Sequence, residues 1–323
     1  MAEEFVLQWH ITHRCNLRCG HCYQEDYSAF ADRAALENVL SQYERLLNAY
    51  GYRGHINVTG GEPLLHPDFY WLLNEIKRRK MTFAVLTNGT LLTLRDARRL
   101  KRLGAVYVQV SLDGCKNAHD AIRGKGSFDR ALNGIRALKS AGIYTDVSFT
   151  VGRGNMGELK DLAKLCKRLG VDKLWFDRVI IPKERDIHNQ SLTADEYAQL
   201  CKTAAALNRR GQLSCARALQ FLPCRKKNIY SCSAGKTLLA LTADGSVMPC
   251  RRLPLTAGNI SDSDMLVIYR DSPLLNELRS APVPEGCKGC SYQSECAGGA
   301  KCASFAKTGS YLIRDPDCLI KIP

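Results

Sequence analysis

The strongest constraint on how this chain folds is an alternation that runs through its first 190 residues. Short runs rich in Val, Ile, Phe, Tyr and Trp fall at Phe5–Thr12, His55–Thr59, Thr82–Leu86, Val106–Leu112, Thr145–Val151 and Lys173–Ile181. Polar residues or glycine punctuate most of their ends, as expected of strands. Between them lie helix-like stretches at Arg33–Tyr50, Asp68–Arg79, Leu94–Leu103, Asp129–Ala141 and Gly157–Leu169. In the last of these, Leu159, Leu162, Ala163, Leu165 and Cys166 form one apolar stripe at helical spacing. A further helix is expected over Ala194–Arg209, with Thr193 as N-cap and Glu196 closing a capping box. Six β-α units imply a parallel sheet with right-handed crossovers. They fit an open partial barrel or a doubly wound sheet, and periodicity does not separate the two.

A length of 323 residues suggests two domains. With 45% hydrophobic and 24% charged residues the composition is that of a soluble globular protein, which argues against disordered and collagen-like chains. No run approaches the roughly 18 apolar residues of a spanning helix. The start Met1-Ala2-Glu3-Glu4 lacks the basic-then-apolar pattern of a secretory signal, so a cytoplasmic protein is expected. The 15 cysteines are odd in number and make a poor disulfide framework. In a reducing cytosol, clustered thiols bind metal or catalyse. The formal charge of +14 admits a nucleic acid, an acidic peptide or an anionic small molecule as partner.

After about residue 215 the texture changes. Glycine, proline and cysteine become frequent, and Ala243-Asp244-Gly245-Ser246 reads as a hairpin turn between Leu238–Leu241 and Val247–Met248. Eight cysteines fall from Cys224 onward, so this region is expected to organise around metal. The expected division is a barrel over 1–190, a linker with a helix over 191–222 and a cysteine-rich unit over 223–323.

The unusual residues of the first unit share a location. Cys15, Cys19 and Cys22 follow the first strand; Gly60, Gly61, Glu62 and Pro63 follow the second. Thr87-Asn88-Gly89 follows the third, Ser111-Leu112-Asp113-Gly114 ends the fourth, and Gly152–Asn155 follows the fifth, while Asp177 and Arg178 lie on the sixth. In a parallel sheet these strand ends form one edge, where active sites are built. Three cysteines within eight residues suit an iron–sulfur cluster with one iron left open to a substrate. A structural zinc site is the bland alternative, with His13 and His21 as nearby fourth ligands.

Cys15-x3-Cys19-x2-Cys22, followed by Gly60-Gly61-Glu62-Pro63, resembles the radical S-adenosylmethionine (radical SAM) enzymes. The resemblance covers the whole first unit. It implies a partial (β/α)6 TIM-type barrel whose three cysteines hold a 4Fe–4S cluster, the open iron chelating SAM. By position, His21 would pack near the adenine, Gly60–Pro63 would meet the SAM amino group, and Asn88 would lie in the same cofactor site. Ser111, Asp113 and Arg123 match positions that hold the ribose and the carboxylate.

Cys232, Cys250, Cys287-x2-Cys290-x5-Cys296-x5-Cys302 and Cys318 resemble the SPASM domain, an auxiliary iron–sulfur module. The interval before Cys302 is five residues where three is usual. Carried over by position, Cys287, Cys290, Cys296 and Cys318 would hold one auxiliary 4Fe–4S cluster. Cys232, Cys250 and Cys302 would hold the other, with Cys224 as fourth ligand. A pair of zinc sites is the alternative. Cys166 and Cys201 read as small buried hydrophobes, and Cys215 has no clear role. Cys115 is a hydrogen-atom donor, a substrate anchor or a turn residue. Asp177 and Arg178 are a base and a substrate clamp, or else form a barrel salt bridge. The basic runs Lys77–Lys80 and Arg95–Arg102 read as solvated helix faces. Arg225–Lys227 and Arg251-Arg252 border cluster ligands and meet an acidic substrate or offset cluster charge.

The resemblance implies reductive cleavage of SAM to a 5′-deoxyadenosyl radical, which takes a hydrogen atom from the substrate. A ribosomally made peptide that is cross-linked or oxidised is the favoured substrate. No leader-recognition domain precedes the first strand near Phe5, so a separate leader-binding protein is an expected partner. An electron donor such as flavodoxin or ferredoxin is another. Two enzyme rivals stand beside this reading. Anaerobic sulfatase maturases typically carry Asp directly after the cysteine matching Cys250, where this chain has Arg251. A haem-pathway enzyme acting on a tetrapyrrole would use the basic residues for propionates. From another class, a metal-stabilised nucleic-acid binder would leave the strand-end motifs unexplained.

Overall fold

The computed structural model describes residues 2–181, 190–211, 213–215, 217–224, 229–280 and 282–321, the side chain of Cys224 excepted. Strands β1 (Glu4–His10), β2 (Arg53–Thr59), β3 (Thr82–Thr87), β4 (Val108–Ser111), β5 (Thr145–Val151) and β6 (Lys173–Arg178) pair in parallel, each with its neighbour in the chain. Over β1–β6 the strand order runs one way, without the switch point that a doubly wound sheet needs. One-way winding makes this a partial barrel, and it does not close.

Helices α1 (Arg33–Tyr50), α2 (Phe69–Arg78), α3 (Leu94–Leu103), α4 (Lys116–Arg123), α5 (Ser127–Ser140) and α6 (Leu159–Arg168) fill the connections. The longest, α1, is started by the Asp32 carboxylate, which accepts the Ala35 N–H, and stopped by Gly51 in the left-handed region. Its buried face, Leu36, Val39, Leu40, Tyr43, Leu46 and Leu47, keeps helical spacing. Tyr43 Oη donates to the Phe5 carbonyl at 2.6 Å, which keeps its polar end satisfied in the core. Each such leucine contributes about 1.5–3 kcal/mol through burial.

The strands alternate with a purpose. Phe5, Leu7 and Trp9 on β1, Ile56 and Val58 on β2, and Val147, Phe149 and Val151 on β5 are buried in the apolar core with the helices. The period of two turns Gln8 and His10, Asn57 and Thr59, Gln109 and Ser111, Asp146 and Ser148, and Trp175 and Asp177 to the opposite, inward face. That face is mostly polar, so the barrel interior suits a ligand rather than a second core.

The segment after α7 (Ala194–Arg209) covers the β6 edge. Ser214 N–H donates to Leu174 O at 2.8 Å and Gln220 Nε2 donates to Phe176 O at 3.0 Å. The Thr193–Glu196 capping box of α7 forms as expected. The short α8 (Phe221–Cys224) follows. On the other side of β1, β7 (Leu238–Leu241) pairs in parallel with Val6–Trp9, and β8 (Ser246–Met248) and β9 (Gly258–Asn259) continue antiparallel. The expected hairpin turn is present, with Gly245 at φ 84°. The sheet therefore runs without a break into the region after residue 223. Short helices α9 (Met265–Asp271), α10 (Pro273–Ser280), α11 (Gln293–Cys296) and α12 (Lys301–Thr308) complete the C-terminal part. Among the described residues no helix is long and apolar enough to cross a membrane.

Candidate active site and cluster ligands

The loop that leaves β1 carries Cys15, Cys19 and Cys22, and the loop after β2 holds it in place. Gly61 N–H donates to Thr12 O and Glu62 N–H to Arg14 O, both at 2.8 Å. A Cβ on Gly61 would stand 2.4 Å from Arg14 O and 2.6 Å from His13 O, and Gly60 sits at φ 153°. The two glycines are thus required first by the backbone of the cysteine loop itself. The Glu62 carboxyl is fully buried and accepts from Thr87 Oγ1 at 2.8 Å, Asn88 N–H at 2.9 Å and Leu64 N–H at 3.3 Å. Burial raises its pKa to about 7 against the pull of those donors. Glu62 ties the second strand-end loop to the third, and its side chain is occupied by that role. Pro63 opens the single 3-10 turn that follows.

Asn88 then reaches the cysteines, its Nδ2 donating toward Cys15 Sγ at 3.9 Å and to Asn16 Oδ1 at 2.9 Å. Leu17 N–H donates to the same sulfur at 3.4 Å. From the opposite side Arg123 Nη1 donates toward Cys19 Sγ at 3.9 Å. Arg123 is held by Asp113, which accepts from its Nε at 2.5 Å and from Thr150 N–H at 3.0 Å. His21 Nε2 shares the same carboxylate at 2.7 Å. Burial opposes ionisation of Asp113, but Arg123 and His21 outweigh it and hold its carboxyl well below the ordinary range. Asp113 is therefore the hub of this wall, and its side chain is taken up by protein partners. The His21 ring, expected near the adenine, is anchored at its Nε2 through this hydrogen bond. Ser111 ends β4 on the inward face, paired in register with Ser148.

The C-terminal cysteines fall into two groups. Cys287, Cys290, Cys296 and Cys318 line one small pocket together with Leu219, Tyr292 and Arg314. Cys232, Cys250 and Cys302 are electrostatic neighbours of one another, with Arg252 beside the last two. Burial pushes the Cys19 thiol up to about 11 and the Cys302 thiol up to about 12, so both keep their protons until a cation displaces them. The side chain of Cys224 and the run Arg225–Lys227 lie outside the described residues. Cys15, Cys19, Cys22 and the seven described cysteines from Cys232 onward are free thiols. Among the described residues none of these groups closes around a single-ion position. Three neighbouring thiols, two of them met by N–H donors, and four thiols around one pocket fit iron–sulfur clusters, whose sulfurs accept such hydrogen bonds.

Asp177, Arg178 and Cys115 all engage protein groups, the first two in ion pairs, which is the alternative reading for them. Asp177 is on the inward face but is ion-paired with Arg252, with Arg217 Nε at 3.9 Å. Arg178 is no substrate clamp, because it is buried against Asp315, Asp317 and the Tyr197 ring. Cys115 is the N-cap of α4, and its N–H donates to Glu158 Oε2 at 2.8 Å. The charged groups around its thiol are Glu158, Asp161 and Arg168, on the α6 side, and the structure does not bring it to the three clustered cysteines. Cys166, Cys201 and Cys215 are buried in the core. His10 and Tyr23 were not singled out in the sequence. The only signals for them were their places at the end of β1 and directly after Cys22.

The sequence model of the radical SAM superfamily matches residues 9–166, and that of the SPASM iron–sulfur cluster-binding domain matches residues 232–291. The chain is 30% identical over 334 residues to mycofactocin maturase MftC of Mycobacterium tuberculosis, covering 97% of this chain and 82% of that protein. It is 28% identical over 340 residues to the AdoMet-dependent heme synthase of Oleidesulfovibrio alaskensis, covering 97% and 86%. Among solved structures, anSMEcpe with bound AdoMet and the Cp18Cys peptide superposes with a TM-score of 0.78 at 23% identity, covering 97% of this chain and 93% of that one.

Proposed function

The chain belongs to the radical SAM superfamily and carries a SPASM domain, and on that premise we propose that this enzyme oxidises or cross-links a ribosomally made peptide. Its cofactors are 4Fe–4S clusters and S-adenosylmethionine. Bound together, they supply one-electron chemistry that removes a hydrogen atom from an unactivated C–H bond.

The protein's own residues supply the frame. Cys15, Cys19 and Cys22 hold the first cluster, while Asn88, Arg123 and the Leu17 N–H steady the sulfurs. Cys287, Cys290, Cys296 and Cys318 hold a second, and Cys232, Cys250 and Cys302, with Cys224, a third. Gln8, His10, Asn57, Gln109, Ser111 and Ser148 present hydrogen-bonding groups on the inward face, where they position substrate and shield the site from bulk water. An electron donor of the flavodoxin or ferredoxin kind and a separate leader-binding protein are the proposed partners.

The observation that carries the peptide reading is the 30% identity to a maturase over nearly the whole chain. A tetrapyrrole substrate is the second reading, favoured by the heme synthase relative and by Arg251, whose Nε has no hydrogen-bond partner among the described residues. Anaerobically reconstituted protein is expected to contain about twelve iron atoms if three four-iron clusters form, and to produce 5′-deoxyadenosine. Incubation with the short peptide encoded beside the gene, if one is present, and separately with coproporphyrin III, tests the substrate by mass spectrometry. A mass change in the peptide supports the first reading; a change only in the porphyrin replaces it with the second. Stoichiometric zinc with no SAM cleavage sinks both.

A further inference from the structure

His10 and Arg251 are electrostatic neighbours, and each has a buried nitrogen with no hydrogen-bond partner among the described residues. His10 ends β1 on the inward face and is 2% exposed, yet its Nε2 has no hydrogen-bond partner. Arg251 directly follows Cys250. Its guanidinium lies 4.5 Å from the centroid of the Tyr23 ring, and its Nε is buried without an acceptor. Arg251 is also the charged group that acts most strongly on His10. Tyr23 directly follows Cys22, so the Arg251 side chain extends from the auxiliary cysteines to the first cysteine loop.

The next residue shows what a committed arginine looks like here. Arg252 is ion-paired with Asp177, donates to Arg178 O at 2.9 Å, and is the cation beside Cys250 and Cys302. Charge offset at those thiols is therefore the work of Arg252. Arg251 has no ion pair among the described residues. Buried donors in native structures nearly always find acceptors, and those left over call for an explanation. A guanidinium fork beside an imidazole edge is matched by one common group, a carboxylate with its two oxygens. Burial, seconded by Arg251, lowers the His10 pKa to about 3, so the ring is neutral at working pH and donates or accepts according to tautomer.

We propose that Arg251 and His10 form a clamp for a carboxylate of the substrate, holding it beside the first cysteine loop. The clamp deepens the function proposed above and rests on it. The carboxylate comes from a peptide, as its C-terminus or an acidic side chain, or from a propionate of a tetrapyrrole.

The test uses full-length, anaerobically reconstituted holoenzyme with SAM present and two probe pairs, followed by ligand fluorescence. One pair is coproporphyrin III and its tetramethyl ester; the other is dansyl-Gly-Gly-Phe and its C-terminal amide. At least one acid is expected to bind ten-fold or more tightly than its neutral counterpart, and which acid does so identifies the source. Arg251→Gln is expected to remove that preference, and Arg251→Lys to keep part of it. Iron content and the visible spectrum check that each variant is loaded; if Arg251→Gln loses iron, Arg251→Lys and the wild-type preference decide. Equal binding of acid and neutral probes in both pairs overturns the clamp, as does an acid preference that survives in loaded Arg251→Gln. A shift in cluster potential with unchanged binding overturns it too, since Arg251 would then serve only the cluster. Wild-type SAM cleavage is measured in parallel. Cleavage without acid preference defeats the clamp alone, while acid preference without cleavage defeats the proposed function alone.

Discussion

Asp177, the last inward-facing residue of β6, is ion-paired with Arg252, two residues beyond Cys250. The pair joins the far wall of the barrel to the auxiliary cysteines. Burial opposes the charge on Asp177, but Arg252, Arg217 and Arg178 outweigh it and keep its carboxyl below the ordinary range. A carboxylate held this way is a counter-ion rather than a base awaiting a proton. Replacing Asp177 with Ala leaves Arg252 without its partner. A fully buried pair broken from one side costs about 3–5 kcal/mol; because the Arg252 side chain is 31% exposed, a loss on the order of 2 kcal/mol is expected. Anaerobic thermal unfolding and iron content of Asp177→Ala measure it. Wild-type stability with abolished product would instead make Asp177 catalytic.

Gly61→Ala tests the docking of the cysteine loop. The added methyl meets two backbone carbonyls, which cannot swing aside as a side chain would. The loop must shift, so iron at the first site and 5′-deoxyadenosine formation are expected to fall at least ten-fold. The iron of the auxiliary sites should remain. Cluster-resolved Mössbauer or EPR spectra distinguish this from global unfolding.

Glu62 gives the protein a pH dependence of known sign. Its folded pKa of about 7 lies above the ordinary carboxyl value. Between the two, the native state keeps a proton that the unfolded chain has lost, so stability falls as pH rises through that window. Asp146, raised to about 6 by burial, adds to the same slope. Glu62→Gln is expected to flatten the decline in urea midpoint between about pH 5 and 7, leaving the Asp146 share. An unchanged slope would show that Glu62 ionises freely.

Cys115→Ala is expected to leave product identity and SAM cleavage as they are, because its thiol faces Glu158 and Asp161. Cys19→Ala, by contrast, should abolish 5′-deoxyadenosine formation. Product altered by Cys115→Ala alone would restore the hydrogen-donor reading.

How far the sequence could be read depended on whether the evidence was local. The bounds of α1, α3 and α7 and the hairpin after β7 were legible because periodicity, caps and turn residues lie within each segment. The helix α4 was not, since the residues it buries are His119 and Arg123, four apart but polar, and they leave no apolar stripe. The cysteine motifs announced the cofactors through the family resemblance that they carry. The partners of Asp177, Asp113 and Arg178 could not be read in advance. Each lies on a segment remote in sequence, or depends on which side of a strand end a side chain leaves.

The pairing of β7 with β1 bears on how the chain acquires its structure. Val6 on β1 lies opposite Leu238 on β7, far along the chain, so one flank of β1 must wait until β7 has been synthesised. Until then its amides and carbonyls are an open edge, and the strand that launches the cysteine loop has only one neighbour. Contacts between such distant positions are slow to form. Newly made chains therefore spend their vulnerable interval with that edge uncovered, and removing the segment from β7 onward would make the interval permanent.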